Sequence, residues 1–247
     1  MSLQSLKDIV ESKWTLARLY NVLRGKAVVL FGDPFIGKSY LCAKLCSAAK
    51  GVSGKPSLYI AIDQNLRTEY GETLKNMAKA DWYSPMDPWE AYIYVKQLTP
   101  DKAERYSMIV FDSLTALQEY VIVTSRNELD PRVNLRLMRI ATVITERLAM
   151  AAHTAKIPTI LITHPTVIFG DQPSGPFHKR RPAFSMRAIK NVDLVLSLEM
   201  GEKAKLLRCV AYRSSDGRPP FTYIPVRELL GESKAKREKP KSTSHVL

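Results

Sequence analysis

The chain has 247 residues, 45% of them hydrophobic, enough for one large domain with a buried core and too few for two. Its 37 Lys and Arg against 24 Asp and Glu leave a net charge of +13, which favours a polyanionic partner, nucleic acid ahead of membrane because no amphipathic basic helix stands out. No apolar run approaches the roughly 18 residues of a membrane span, and the opening Met1-Ser2-Leu3-Gln4 lacks a basic stretch followed by an apolar one, so a cytoplasmic protein without a membrane partner is expected.

Residues 4–24 place Leu6, Ile9, Val10, Trp14, Leu16, Leu19, Tyr20 and Leu23 at helical spacing and stop at Gly25, predicting a helix or helical pair over one sheet edge. The apolar run Ala27-Val28-Val29-Leu30-Phe31 then leads into Gly32-Asp33-Pro34-Phe35-Ile36-Gly37-Lys38-Ser39 and on to Tyr40 and a helix. This is G-x-x-x-x-G-K-[ST] in its confirming context, a strand before it and a helix starting within it. Glycines let backbone N–H groups converge on an anion, and the helix adds the positive end of its dipole. Lys38 can reach the β- and γ-phosphates of ATP while the Ser39 hydroxyl ligates Mg²⁺. The motif predicts a nucleoside triphosphate site.

A strand over residues 57–62 ends in Asp63-Gln64-Asn65, a helix follows over about 69–79, and residues 82–95 are aromatic-rich without a clear period. Met108-Ile109-Val110-Phe111-Asp112-Ser113 is the second anchor, an apolar strand ending in an acid about 75 residues beyond the phosphate loop. Asp112 is placed to hold the Mg²⁺ shell opposite Ser39. Residues 121–132 are polar and turn-prone, and a long amphipathic helix carries Leu137, Ile140, Ala141, Ile144, Leu148, Ala151 and Ala152 on one stripe. A buried strand over 157–164 ends in Thr163-His164.

From Gln172 to Val192 there is no acidic residue, while His178, Lys179, Arg180, Arg181, Arg187 and Lys190 alternate with Phe177 and Phe184 among glycines and prolines. An irregular basic loop with aromatics suits the phosphates and base faces of single-stranded nucleic acid. A solvated loop without a partner is the plainer alternative. Strands are expected over 192–198, 205–213 and 222–226, followed by a basic tail over 231–247. Cys42, Cys46 and Cys209 read as small core residues rather than a disulfide or metal set.

This order of parts resembles the ATPase core of the RecA/RadA recombinase superfamily over about residues 24–228, and most of all its core-only members, the archaeal RadB-type paralogs and short phage RecA-like proteins. The resemblance implies an α/β P-loop NTPase of RecA type, with a central, mostly parallel twisted sheet flanked by helices. It divides the chain into a helical segment 1–24 packed on the core, the core at 25–230 and the tail. It also implies DNA contacts from loops at about 123–132 and 165–187, and catalytic parts for Lys38, Asp112, Asp63 and His164, the last standing where the family has a γ-phosphate-sensing glutamine. The family's catalytic glutamate would fall at Asn65, which cannot accept a proton, so Asp63 or Glu69 substitutes or hydrolysis is slow. Trp14-Thr15-Leu16-Ala17 has the aromatic-x-x-Ala shape by which such recombinases dock on a neighbouring subunit, and Arg213 or Arg218 could reach across to a neighbour's γ-phosphate. The implied function is ATP-switched binding of single-stranded DNA in recombination or repair, as a paralog or mediator with weak ATPase activity, a recombinase partner and a possible homo-oligomer. The alternatives are a regulatory ATPase acting through a recombinase or clock-type assembly and, third, a small-molecule kinase.

Overall fold

The structure is a computed structural model that describes residues 13–117, 131–167, 180–182, 190–202, 204–213 and 218–232. Its strands are β1 (Ala27–Phe31), β2 (Leu58–Ala61), β3 (Asp81–Tyr83), β4 (Ile109–Asp112), β5 (Thr159–Thr163), β8 (Leu194–Met200), β9 (Lys205–Tyr212) and β10 (Tyr223–Pro225), with β6 (Pro165–Val167) and β7 (Arg180–Pro182) forming a separate antiparallel pair. The helices are α1 (Leu16–Leu23), α2 (Lys38–Ser53), α3 (Glu69–Ala78), α4 (Pro88–Lys96), α5 (Pro100–Ala103), α6 (Pro131–Ala155) and α7 (Val226–Leu229).

The eight-stranded sheet runs β10-β9-β8-β1-β5-β4-β2-β3. Pairings from β8 through β3 are parallel, and the β8–β9 and β9–β10 pairings are antiparallel. β1, β2, β4 and β5 are buried along their whole length, the property of parallel strands covered on both faces, which explains their unbroken apolar runs. One face carries α1, α2 and α3, with Leu19, Leu23, Leu41, Leu45 and Leu74 in one cluster. The other carries α4, α5 and α6, with Val95, Ala103, Ile140, Ile144 and Leu148 in a second. β5 lies between β1 and β4, pairing Phe31 with Thr163 and Asp112 with Ile162. The C-terminal ends of three strands therefore open side by side at one rim of the sheet.

At the opposite rim, Asp193 ties the strand starts together. Its Oδ2 accepts from the Ala27 N–H at 2.7 Å and lies 2.7 Å from His153 Nε2.

The N-terminal helix differs from expectation in place. Thr15 caps it, accepting from the Arg18 N–H at 3.1 Å, so residues 13–15 precede the helix, and residues 1–12 lie outside the described residues. It packs on the sheet face beside α2 rather than at an edge, because Leu19, Tyr20 and Leu23 all point one way into the first cluster. Trp14 meets the ring of Phe221 edge-on at 5.3 Å, Arg18 stacks over it at 4.5 Å, and the backbone N–H of Trp14 donates to Glu228 Oε1 at 2.6 Å. The aromatic of the docking-like tetrapeptide is thus engaged within its own chain. The aromatic stretch resolves into β3, the sheet's far edge, and α4, which Asp87 caps by accepting from the Glu90 N–H at 2.8 Å, with Pro88 at the first helical position.

Trp14→Ala should lower stability by about 2 kcal/mol, less than the cost of a fully buried tryptophan, or roughly 4–8 °C in Tm for a chain of this size. Size-exclusion elution should stay unchanged. A lost oligomer with an unaltered Tm would contradict the internal role.

Candidate functional site

The phosphate loop leaves β1 at Gly32 and enters α2 at Lys38. A Cβ on Gly32 would fall 2.3 Å from the backbone oxygen of Leu198 at the end of β8, so only glycine lets the loop pass that strand. Gly37 caps α2 at φ 102°, a conformation other residues adopt only under strain. Lys38, 6% exposed, turns back into the loop and donates to the carbonyls of Gly32 at 2.7 Å and Asp33 at 2.9 Å. Burial lowers its pKa, opposed first by the charge of Asp112 and then by that of Asp33. An ammonium at the N-terminus of α2, satisfied by its own loop's carbonyls, is arranged to transfer its donors to an incoming anion.

A cavity of about 400 Å³ opens beside it, lined by Pro34, Phe35, Gly37, Lys38, Ser39, Asp63, Asn65, Leu66, Thr68, Tyr70, Asp112, Ile162 and His164. Asp112 is 2% exposed and its pKa is pushed up to about 6 by burial. Hydrogen bonds from Ser39 and Tyr59 pull the other way, the Asp63 charge adds to the rise, and Lys38 opposes it. The Tyr59 hydroxyl donates to Asp112 Oδ2 at 2.7 Å. Asp63 ends β2's approach to the cavity, and its Oδ1 accepts from the Asn65 N–H at 3.0 Å, capping a 3₁₀ turn over Gln64–Arg67. His164 closes the cavity from β5. Its N–H donates to Thr115 Oγ1 at 2.8 Å, and Thr115 Oγ1 lies 3.0 Å from Thr163 Oγ1, which locks the end of β5 to the helical turn after Asp112.

Among the described residues no group of three or more His, Cys, Asp or Glu could hold a metal alone. A serine hydroxyl bonded to one buried carboxylate fits Mg²⁺, which keeps most of its shell from water and phosphate oxygens and takes one or two ligands from protein.

The structure thus brings together Lys38, Ser39, Asp112, Asp63 and His164, with Pro34, Phe35 and Gly37 from the loop. Ile36 and Tyr40 face a neighbouring cavity of about 530 Å³, shared with Leu198, Lys205, Arg227, Leu230 and Glu232. Gly32 and Asp33 serve through the backbone. Glu69 begins α3 and does not line the cavity; its neighbours Thr68 and Tyr70 do. Arg213 bonds the Lys190 carbonyl and, through its N–H, the Asp193 carbonyl at 2.7 Å, at the rim away from the phosphate loop. Arg180 and Arg181 stand on β7, opposite Val167 and Thr166, so part of the stretch expected to be irregular is a hairpin. His178, Lys179 and Arg187 lie outside the described residues, as do residues 123–130 of the other expected loop. Cys42 and Cys46 are buried on α2, and Cys209 is half-buried on β9. Sequence reasoning missed Tyr59, Thr68, Tyr70 and Thr115. Of these only Tyr59 carried a signal, a hydroxyl inside an otherwise aliphatic strand that must find a partner once buried.

This is the RecA-type P-loop fold. A solved structure described as the RadB recombinase matches it with a TM-score of 0.56, 17% identity and coverage of 83% of this chain and 89% of that one. No protein-family model and no curated protein sequence matches the chain. Among the described residues no helix is long and apolar enough to cross a membrane.

A carboxylate whose pKa is raised on folding binds its proton more tightly in the folded state, so the stability it contributes is present at low pH and is lost as pH rises through the folded value. Without nucleotide or metal, the wild-type chain should therefore lose stability between about pH 4 and 6 relative to Asp112→Asn, as read by Tm against pH. A difference between the two chains that is flat over that window would show that Asp112 is not desolvated.

Proposed function

We propose that the chain is an ATP-binding, RecA-like protein of homologous recombination or DNA repair, which binds single-stranded DNA as a recombinase paralog or mediator. The observation that carries the reading is the continuity of one structural line. The phosphate loop, Asp112 and His164 share a cavity, and His164 is followed at once by β6, whose partner strand β7 bears Arg180 and Arg181. A nucleotide felt at His164 is felt one residue from the root of the basic hairpin.

In this reading Lys38 exchanges the carbonyls of Gly32 and Asp33 for phosphate oxygens, and Ser39 and Asp112 hold Mg²⁺. The metal supplies neutralisation of charge on the β- and γ-phosphates when bound. Tyr40 and the adjoining cavity accept the nucleoside. Weak hydrolysis is part of this reading, and two residues of the site support it. Asn65 cannot take a proton from water, and Asp63, which among the described residues is the one carboxylate besides Asp112 lining the cavity, already spends an oxygen on the Asn65 N–H. Binding alone suffices for a switch, because a ligand that favours one of two loop arrangements shifts their populations. The solved RadB recombinase supports the reading through its fold, and the charge of +13 supports a polyanionic partner.

The test is fluorescence anisotropy of labelled single-stranded DNA over a salt series with no nucleotide, ADP, or ATP with Mg²⁺, with hydrolysis followed in the same samples. Affinity should rise with ATP, and its salt slope should report several phosphate contacts. Lys38→Ala should abolish the nucleotide effect, and Arg180→Ala with Arg181→Ala should weaken DNA binding and flatten the slope. Asn65→Glu should raise ATP turnover by roughly the 10²-fold or more that a positioned general base supplies. DNA binding that is weak and blind to nucleotide would sink the reading in favour of a regulatory ATPase acting on protein. The exposed Met86, Trp89 and Ile93 at the start and along the face of α4 are the feature that favours that second reading.

A further inference from the structure

Tyr59 is the polar residue of β2, whose other members are Leu58, Ile60 and Ala61. It is wholly buried, and a buried hydroxyl must find a hydrogen-bond partner. Its partner is Asp112 Oδ2, at 2.7 Å. The register explains the reach. Ala61, not Tyr59, stands beside Asp112 in the β2–β4 pairing, so Tyr59 sits two residues back on the same face. That offset is about 6.6 Å along a strand, a span that a phenol crosses and an aliphatic side chain does not. The ring is held from the edge of the sheet, where Trp82 of β3 stacks on it at 4.3 Å with 8° between planes. The hydroxyl of Tyr59 thus approaches Asp112 from inside the sheet, while Ser39 approaches from the phosphate loop.

We propose that Tyr59 is a positioning residue for the metal-side carboxylate: by holding Oδ2 of Asp112 from within the core, backed by Trp82, it fixes the direction in which the other oxygen meets Mg²⁺. This rests on the reading of Ser39 and Asp112 as the Mg²⁺ side of a nucleotide site. Outer-shell donors of this kind orient the ligand and commonly tune metal affinity by 10- to 100-fold.

The experiment is a Mg²⁺ titration of the binding of a fluorescent ATP analogue, with parallel binding in EDTA and Tm measurements, on wild type, Tyr59→Phe, Trp82→Ala, Asp112→Asn and the Tyr59→Phe/Asp112→Asn double variant. Tyr59→Phe should raise the Mg²⁺ concentration for half-maximal binding about tenfold, with EDTA binding within about twofold of wild type, and should add nothing in the Asp112→Asn background. Trp82→Ala should shift the Mg²⁺ curve in the same direction, and it decides the matter if Tyr59→Phe does not fold. A Tm loss with an unmoved Mg²⁺ curve in Tyr59→Phe, or in Trp82→Ala where that is the folded variant, makes the contact merely structural and overturns the proposal. An equal loss in EDTA overturns it as well, since the effect would then lie in the phosphate loop. Wild type that binds the analogue without regard to Mg²⁺ removes the metal and this inference together. Wild type that binds none removes the nucleotide reading itself.

Discussion

A cation and an anion, both buried, stand at the rim of the sheet with little water to support either. Lys38 is satisfied by two carbonyls of its own loop, and Asp112 by the hydroxyls of Ser39 and Tyr59. Burial pushes each toward its neutral form, while their mutual attraction resists. Holding such a pair requires a rigid frame, since a buried charge that loses its partner costs several kcal/mol. The frame is the row of strand ends from β1, β5 and β4, pressed between two layers of helices and closed by the passage of Gly32 under Leu198. Both charges are satisfied by groups of the protein itself, so each holds its place by hydrogen bonds within the frame.

The parts of this design that follow local rules were legible in the sequence. The phosphate loop, the apolar strands around it and the acid ending β4 each have a spacing that one physical requirement dictates, and the structure sets Lys38, Ser39 and Asp112 around one cavity. The aromatic stretch over 82–95 was also readable in part, since Asp87-Pro88-Trp89-Glu90 is a helix start, although the crowd of aromatic residues hid the period. What periodicity could not give was lateral information. That β5 separates β1 from β4, that α1 lies on a face, and that Trp14 meets Phe221 are matters of strand order and of contacts between residues far apart in the chain. The contact between Tyr59 and Asp112 belongs to the same class, because it joins residues 53 apart in the chain and depends on the register of two strands.

The fold and the chemistry are separable here. A RecA-type sheet hosts many activities, and the likeness to the RadB recombinase at 17% identity speaks to architecture. The distinctive content lies in the departures. An asparagine occupies the place where a proton acceptor would be expected, an aspartate beside it is engaged as a cap, and a histidine stands at the end of β5. The proposal of a nucleotide site with weak turnover rests on these three positions.

The β6–β7 hairpin begins with Pro165 facing Pro182. Neither residue has an N–H, so no backbone hydrogen bond is donated by either member of that rung. Above it the strands are laced as usual; below it the chain runs straight into His164, which Thr115 clamps. The β6–β7 pair therefore starts from a rung that donates no backbone hydrogen bond, one residue beyond the clamped His164, so its attachment to the sheet at that end depends on Thr115 and His164 rather than on the first rung.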